Sequence, residues 1–236
     1  MLSLLFVESA LETVPQPLWN HPSVTKRAKT LNKKPSETLL DRTYHHRAMI
    51  RLKNNYRRGR PDILHFALLE ALGSPLNREG LLRVYVHTVD DHIISVDPKV
   101  RLPRNYDRFV GLIEQLLRED KVPVVGQPLL ELRKGRPEDI LTEINPSYVI
   151  AFTSEGKAKT LEDMMKSLQK QESLAAFIGA FPHGHFSEET KKLADISVSI
   201  DPMSLEAWTV TSRVIYEFER VRGLPEKRWS KQFFED

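Results

Sequence analysis

The sequence predicts an α/β fold with a mostly parallel sheet flanked by helices, on three observations from its C-terminal third. Residues 148–152, 174–178 and 196–200 are short apolar runs, the pattern of strands buried on both faces. Each is followed by a loop of small or polar residues: Thr153-Ser154-Glu155-Gly156-Lys157, Gly179-Ala180-Phe181-Pro182-His183-Gly184 and Asp201-Pro202-Met203-Ser204-Leu205. A long helix is then expected over about residues 205–221, with Trp208, Val210, Val214, Ile215 and Phe218 among its apolar positions. Loops at the carboxyl ends of parallel strands are where an open α/β sheet binds a ligand. None of the three is a GxGxxG or GxxxxGK[ST] loop, so a cofactor here is held by backbone around small residues, without a dedicated pyrophosphate cradle.

From the amino terminus, Leu2-Ser3-Leu4-Leu5-Phe6-Val7 reads as a first strand. With no basic n-region and no small-residue cleavage site, it does not read as a signal peptide. Residues 9–13 are expected to begin a helix, and Pro15, Pro17 and Pro22 then break the chain ahead of a basic loop at about 22–38. The spacing of Leu40, Tyr44, Ala48 and Leu52 predicts a helix over 39–52. Pro61 suits the first position of a helix that runs through 62–71 and stops at Gly73. Residues 82–88 and 92–96, around Asp90-Asp91, predict a hairpin, set in an insertion at about 82–98. Phe109, Leu112, Ile113, Leu116 and Leu117 place a helix over 104–118. The tail, residues 224–236, carries Trp229, Phe233 and Phe234 and packs on the body or on a partner subunit.

A chain of 236 residues suffices for one large domain or two small ones, and 40% hydrophobic with 28% charged residues is ordinary for a soluble protein. No apolar run approaches a membrane span. The absence of cysteine excludes disulfides, thiolate metal sites and a cysteine nucleophile, and fits a cytoplasmic protein. The histidines form no metal set; His183-Gly184-His185 is too short a motif to stand alone. The net charge of +3 hides an asymmetry, because residues 26–60 hold 12 Lys and Arg against Glu37 and Asp41 alone. That segment carries a net +10 and leaves about −7 for the remainder, a distribution suited to a polyanionic partner.

Two segments concentrate arginine beside proline, glycine and aromatic residues: Arg57-Arg58-Gly59-Arg60-Pro61-Asp62 and Arg101-Leu102-Pro103-Arg104-Asn105-Tyr106-Asp107-Arg108-Phe109. Placed guanidinium groups of this kind bind phosphate oxygens in pairs, which points to a folded protein gripping nucleic acid.

These segments, with Val84-Tyr85-Val86-His87-Thr88, Phe177-Ile178-Gly179-Ala180-Phe181-Pro182-His183-Gly184 and Ala207-Trp208-Thr209-Val210, resemble the ribosome-biogenesis pseudouridine-N1-specific methyltransferases of the SPOUT superfamily, in a form closest to archaeal members. The resemblance spans nearly the whole chain and implies a single SPOUT domain over 1–236 with a deep C-terminal trefoil knot. It implies a homodimer, and S-adenosylmethionine, with no metal, in a cleft of the knotted loops. The cofactor residues it implies are Thr153, Gly179, Gly184, Ile200, Asp201, Pro202, Met203, Ser204 and Leu205. It also implies that Arg60 contacts the RNA and that Asp62 fixes Arg60, with Arg101, Arg104 and Arg108 gripping the RNA backbone. The activity implied is methylation of N1 of a pseudouridine in small-subunit ribosomal RNA, with ribosomal or assembly proteins as further partners. Two alternatives stay open: a non-catalytic RNA-binding assembly factor, and a SPOUT enzyme with another RNA target.

Overall fold

The computed structural model describes residues 1–233; Phe234 lies outside the described residues. The apolar start of the chain forms β1 (Leu2–Ser9), buried along almost its whole length in the middle of the sheet. A bulge between Phe6 and Ser9 ends it, with Glu8 in the left-handed region at φ 54°. The helix expected over 9–13 does not form. Thr13 bridges Leu39, Val14 donates its N–H to the Thr38 carbonyl, and Leu40 donates to that of Glu12, each of these hydrogen bonds 2.9 Å long. Ala10, Leu11 and Val14 are buried by this extended pairing.

Residues expected as a basic loop fold instead as α1 (Pro22–Thr30) and a single turn, Pro35–Glu37. Pro22 occupies the first helical position, and His21 accepts the Ser23 N–H at its ring Nδ1. Val24 anchors α1 against Leu40, Ala48 and Met49, and Ala28, four residues on, is buried on the same side. The next helix, α2 (Arg42–Met49), begins later than its apolar spacing suggests because Leu39 and Leu40 are committed to the extended pairing. Asp41 caps it through the Thr43 N–H at 2.7 Å.

The proline and glycine signals give α3 (Pro61–Gly73), followed by the short α4 (Pro75–Arg78) capped by Ser74. Next, β2 (Leu82–Thr88) pairs parallel with β1, and β3 (His92–Val96) returns antiparallel as the expected hairpin. Of the two strands, β2 lies between β1 and β3 inside the main sheet, and β3 leads out to the antiparallel edge. After α5 (Tyr106–Glu119), β4 (Lys121–Val122) and β5 (Leu130–Lys134) extend the sheet antiparallel beyond β3, and α6 (Pro137–Ile144) follows.

The three C-terminal runs form β6 (Tyr148–Ala158), β7 (Leu174–Gly179) and β8 (Ile196–Ser199), separated by α7 (Leu161–Ser167) and α8 (Glu188–Lys192). The strand order is β4-β5-β3-β2-β1-β7-β6-β8, with β2, β1, β7, β6 and β8 mutually parallel. The chain finishes with α9 (Ala207–Val221) and α10 (Leu224–Phe233). Alternation along β1 divides the core: Leu2, Leu4 and Phe6 pack with α3, α5 and α9, while Leu5 and Val7 pack with Ile140 of α6 and with Phe177 and Phe186. No helix among the described residues is long and apolar enough to cross a membrane.

One contact governs the C-terminal half. Val198 of β8 is opposite Phe152 of β6 and again opposite Lys157, so the chain between them passes over β8. A Cβ on Gly156 would overlap the backbone of Ser197 and Val198, lying 2.5 Å from the Val198 carbonyl carbon. Gly156→Ala is therefore expected to cost about 3 kcal/mol in urea unfolding. The control Gly111→Ala, where an added methyl meets nothing within 4 Å, is expected to gain up to about 1 kcal/mol. Equal midpoints for the two variants would show that the crossing is loose.

Candidate active site

At the carboxyl ends of β6, β7 and β8 the three loops enclose a cleft of about 370 Å³. Of the residues expected to hold a cofactor, Thr153, Gly179, Gly184, Ile200, Asp201, Met203, Ser204 and Leu205 line it, and Pro202 does not. Its lining also includes Phe152, Ile178 and Val198, read from sequence as strand residues, Phe181 of the second loop, and Phe186, which sequence reading did not single out. Phe181 and Phe186 meet edge to face at 5.9 Å, a pairing of two residues flanking the His183-Gly184-His185 turn. Gly184 has φ 94°, which a side chain rarely tolerates, and so keeps that turn bare. Asp201 accepts the Met203 N–H at 3.0 Å and lies 3.6 Å from Arg213. Its carboxylate therefore shapes the loop. Across the cleft, Glu155 ties the 153–157 loop to His185 at 3.3 Å and to Lys191 at 2.7 Å.

The first arginine segment stands beside this cleft but is not uniform. Arg57 pairs with Glu8 at 2.5 Å and stacks 4.1 Å over the Phe181 ring. Arg58 grips both oxygens of the buried Glu12. Both guanidinium groups are thus structural, although the sequence alone suggests phosphate binding for the whole segment. Arg60 makes the expected bidentate pair with Asp62, Nε to Oδ1 at 2.8 Å and Nη2 to Oδ2 at 2.7 Å. That bond first, and the negative charge of Asp62, Glu206 and Asp41, hold its pKa above the usual arginine range. The Arg60 N–H donates to the Ala10 carbonyl, and Ala10 donates to Ala180, so the residue is fixed between the ends of β1 and β7.

Arg101, Arg104 and Arg108 are exposed and make no ion pair among the described residues. The backbone that carries them is pinned. Asn105 caps α5 through the Arg108 N–H at 3.0 Å, and the His65 ring meets the Pro103 carbonyl at 2.7 Å. Tyr106 donates its hydroxyl to Asp41 at 2.6 Å. Burial first, then this hydrogen bond, push the phenol well above its usual range, so it stays a donor. Among the described residues no group of three His, Asp or Glu is placed to hold a metal ion.

The family model described as EMG1/NEP1 methyltransferase matches residues 4–219. A ribosomal RNA small subunit methyltransferase Nep1 from Staphylothermus marinus is 46% identical over 224 residues, covering 94% of this chain and 97% of that protein. The protein of the same name from Thermococcus kodakarensis is 42% identical over 224 residues, covering 95% of this chain and all of that one (100%). The crystal structure of Archaeoglobus fulgidus Nep1 bound to S-adenosylhomocysteine is similar with a TM-score of 0.84 at 39% identity, covering 94% of this chain and 98% of that chain.

Glu8 joins the cleft to the rest of the sheet, because it accepts the Ser187 N–H at 2.9 Å and the Thr190 hydroxyl at 2.7 Å as well as Arg57. Burial alone raises its pKa, but these hydrogen bonds and the Arg57 charge outweigh it and hold the carboxyl below its ordinary value. The stabilisation is then complete above about pH 4.5 and is lost as pH falls through the lower folded value. Glu8→Gln is expected to lose about 3 kcal/mol at neutral pH, measured by urea unfolding, and the gap from wild type is expected to close in acid. A pH-independent gap would contradict the ionic role.

Proposed function

The chain belongs to the EMG1/NEP1 methyltransferase family, and on that premise we propose that it methylates N1 of a pseudouridine in small-subunit ribosomal RNA during ribosome biogenesis. The methyl donor is S-adenosylmethionine, the methylated counterpart of the ligand in the Archaeoglobus fulgidus structure. The cleft fits such a group: its volume of about 370 Å³ suits a small ligand, its floor at Ile178 and Val198 is apolar, and Gly179 and Gly184 leave backbone exposed. Thr153, Gly179, Gly184, Ile200, Ser204 and Leu205 are the residues that would hold it, with Asp201 shaping the loop. The bound cofactor supplies an electrophilic methyl group on a sulfonium.

The bidentate Arg60–Asp62 pair at the edge of this cleft is the observation that carries the reading. Asp62 occupies the Nε and Nη2 edge of the guanidinium and leaves Nη1 to meet the RNA. Nearby positive charge favours the deprotonated form of an imide-like N1–H. Asp62, bound to Arg60, is a positioning residue and a poor proton acceptor. Arg101, Arg104 and Arg108 hold the RNA backbone so that N1 stands in line with the methyl carbon. The protein works as a homodimer in the cytoplasm. Ribosomal or assembly proteins are further partners. A purely RNA-binding assembly factor has no need of the cleft.

Purified protein, labelled S-adenosylmethionine and small-subunit RNA fragments bearing uridine or pseudouridine test the reaction. Label is expected only on the pseudouridine RNA; transfer to uridine RNA would defeat the specificity, and no transfer at all would favour the assembly factor. Arg60→Ala is expected to lower methylation about 100-fold or more. Calorimetric affinity for S-adenosylmethionine is expected to stay within about twofold, since the substitution removes an RNA contact and leaves the cleft intact. An equal collapse of cofactor affinity would move Arg60 into the cofactor site.

A further inference from the structure

Apart from Arg60, paired with Asp62, and Lys34, which lies 4.0 Å from Glu37, the cations of residues 26–60 fall into two sets. The inner set is committed to the protein. Arg27 stacks 3.7 Å over the Tyr44 ring and lies 3.8 Å from Asp107, Lys33 pairs with Glu114 at 2.5 Å, and Arg42 donates to the Asn55 carbonyl. Arg57 and Arg58 hold Glu8 and Glu12. The outer set, Lys26, Lys29, Arg47, Arg51 and Lys53, is exposed and makes no ion pair among the described residues.

The inner set fixes where the outer set points. Arg27 and Lys33 clamp α1 and the turn after it to Asp107 and Glu114 of α5, and Glu114 also accepts the Leu39 N–H at 2.9 Å. The Arg27 contact reaches Asp107, the sequence neighbour of Arg108, so α1 is anchored beside the start of α5, where Arg104 and Arg108 stand. Lys26 and Lys29 are three apart on α1 and stand about 5–6 Å from each other on one side. Arg47 lies one turn beyond Tyr44 on α2. Between Arg60 and this face, the buried Asp41 accepts the Tyr106 hydroxyl and caps the start of α2.

We propose that the α1–α2 face is a second RNA-binding surface, holding the sugar-phosphate backbone of RNA that flanks the target loop. The inference rests on the ribosomal RNA methyltransferase reading above. Lysines on long stems meet phosphates as point charges, so the face adds affinity and salt dependence with little sequence information.

The test compares wild type with the triple variant Lys26→Ala, Lys29→Ala, Arg47→Ala on two probes. One is a small-subunit ribosomal RNA stem-loop holding the target and its flanking stem; the other is an oligonucleotide of the loop alone. For the stem-loop, affinity is expected to fall on the order of 10- to 100-fold, and the slope of log K against log salt to flatten by about 2–3. Affinity for the loop oligonucleotide and for S-adenosylmethionine is expected to stay within about twofold. An unchanged slope overturns the proposal and leaves the face to an acidic protein partner. Equal loss on both RNAs also overturns it, because the face then grips the target loop itself. Failure of the wild type to bind either RNA refutes the functional reading, a result separable from both.

Discussion

The close passage of Gly156 over the Ser197–Val198 backbone is the constraint on which the C-terminal half depends. With no side chain between them, the segment lies flat on β8 and pairs with it a second time, Lys157 opposite Val198 and Ala158 opposite Ser199. The Lys159 N–H extends the pairing to the Ser199 carbonyl at 3.1 Å. Thr153 and Ser154 on one side and residues 199–205 on the other must therefore leave the crossing around one space, and that space is the cleft. Walls anchored to a common crossing do not splay independently. A site built this way spends little of its binding energy on ordering loops.

A second constraint lies at the end of β1. Glu8 sits in a left-handed conformation that costs about 1–3 kcal/mol, and it is held there by Arg57, Ser187 and Thr190. Glu12, four residues on, holds Arg58. Two carboxylates at the strand end thus fix two successive arginines, and the backbone from 57 to 60 has little freedom left. Arg60 emerges at the end of this fixed stretch, where Asp62 sets its last torsions. The sheet end, the arginine segment and the cleft wall are one assembly, since Arg57 also stacks on Phe181.

Much of this is legible in the sequence, for physical reasons that can be named. The three C-terminal strands are read from apolar runs because parallel strands are buried on both faces. Pro61 and Gly73 bracket α3 because each acts on its own local backbone. The Arg60–Asp62 pair is implied by the family resemblance, and two complementary side chains two residues apart at a helix start are able to form it. By contrast, α1 is hidden because two buried residues, Val24 and Ala28, anchor an otherwise polar helix. The extended path at 9–14 depends on pairing with residues 38–40, which no local pattern announces. Gly156 is similar: its need for glycine comes from backbone about forty residues away. The roles of Arg57 and Arg58 are equally non-local, because Glu8 and Glu12 carry no mark of their partners.

Pairing geometry also decides which arginine is free to act. Arg58 and Glu12 leave 19% and 6% of their side chains exposed, and removing either would strand a charge away from water. Such a pair cannot be lent to a substrate. Arg60 and Asp62 leave 36% and 30% exposed, where an ion pair is worth about 1 kcal/mol or less in net stability. Turning the free edge of Arg60 toward an RNA oxygen therefore costs the fold little, and Asp62 keeps the guanidinium plane in place while it happens. Arg101, Arg104 and Arg108, exposed and without ion pairs among the described residues, lack such a positioning partner. Among the paired arginines, the burial of the carboxylate partner separates the structural Arg57 and Arg58 from the more open Arg60.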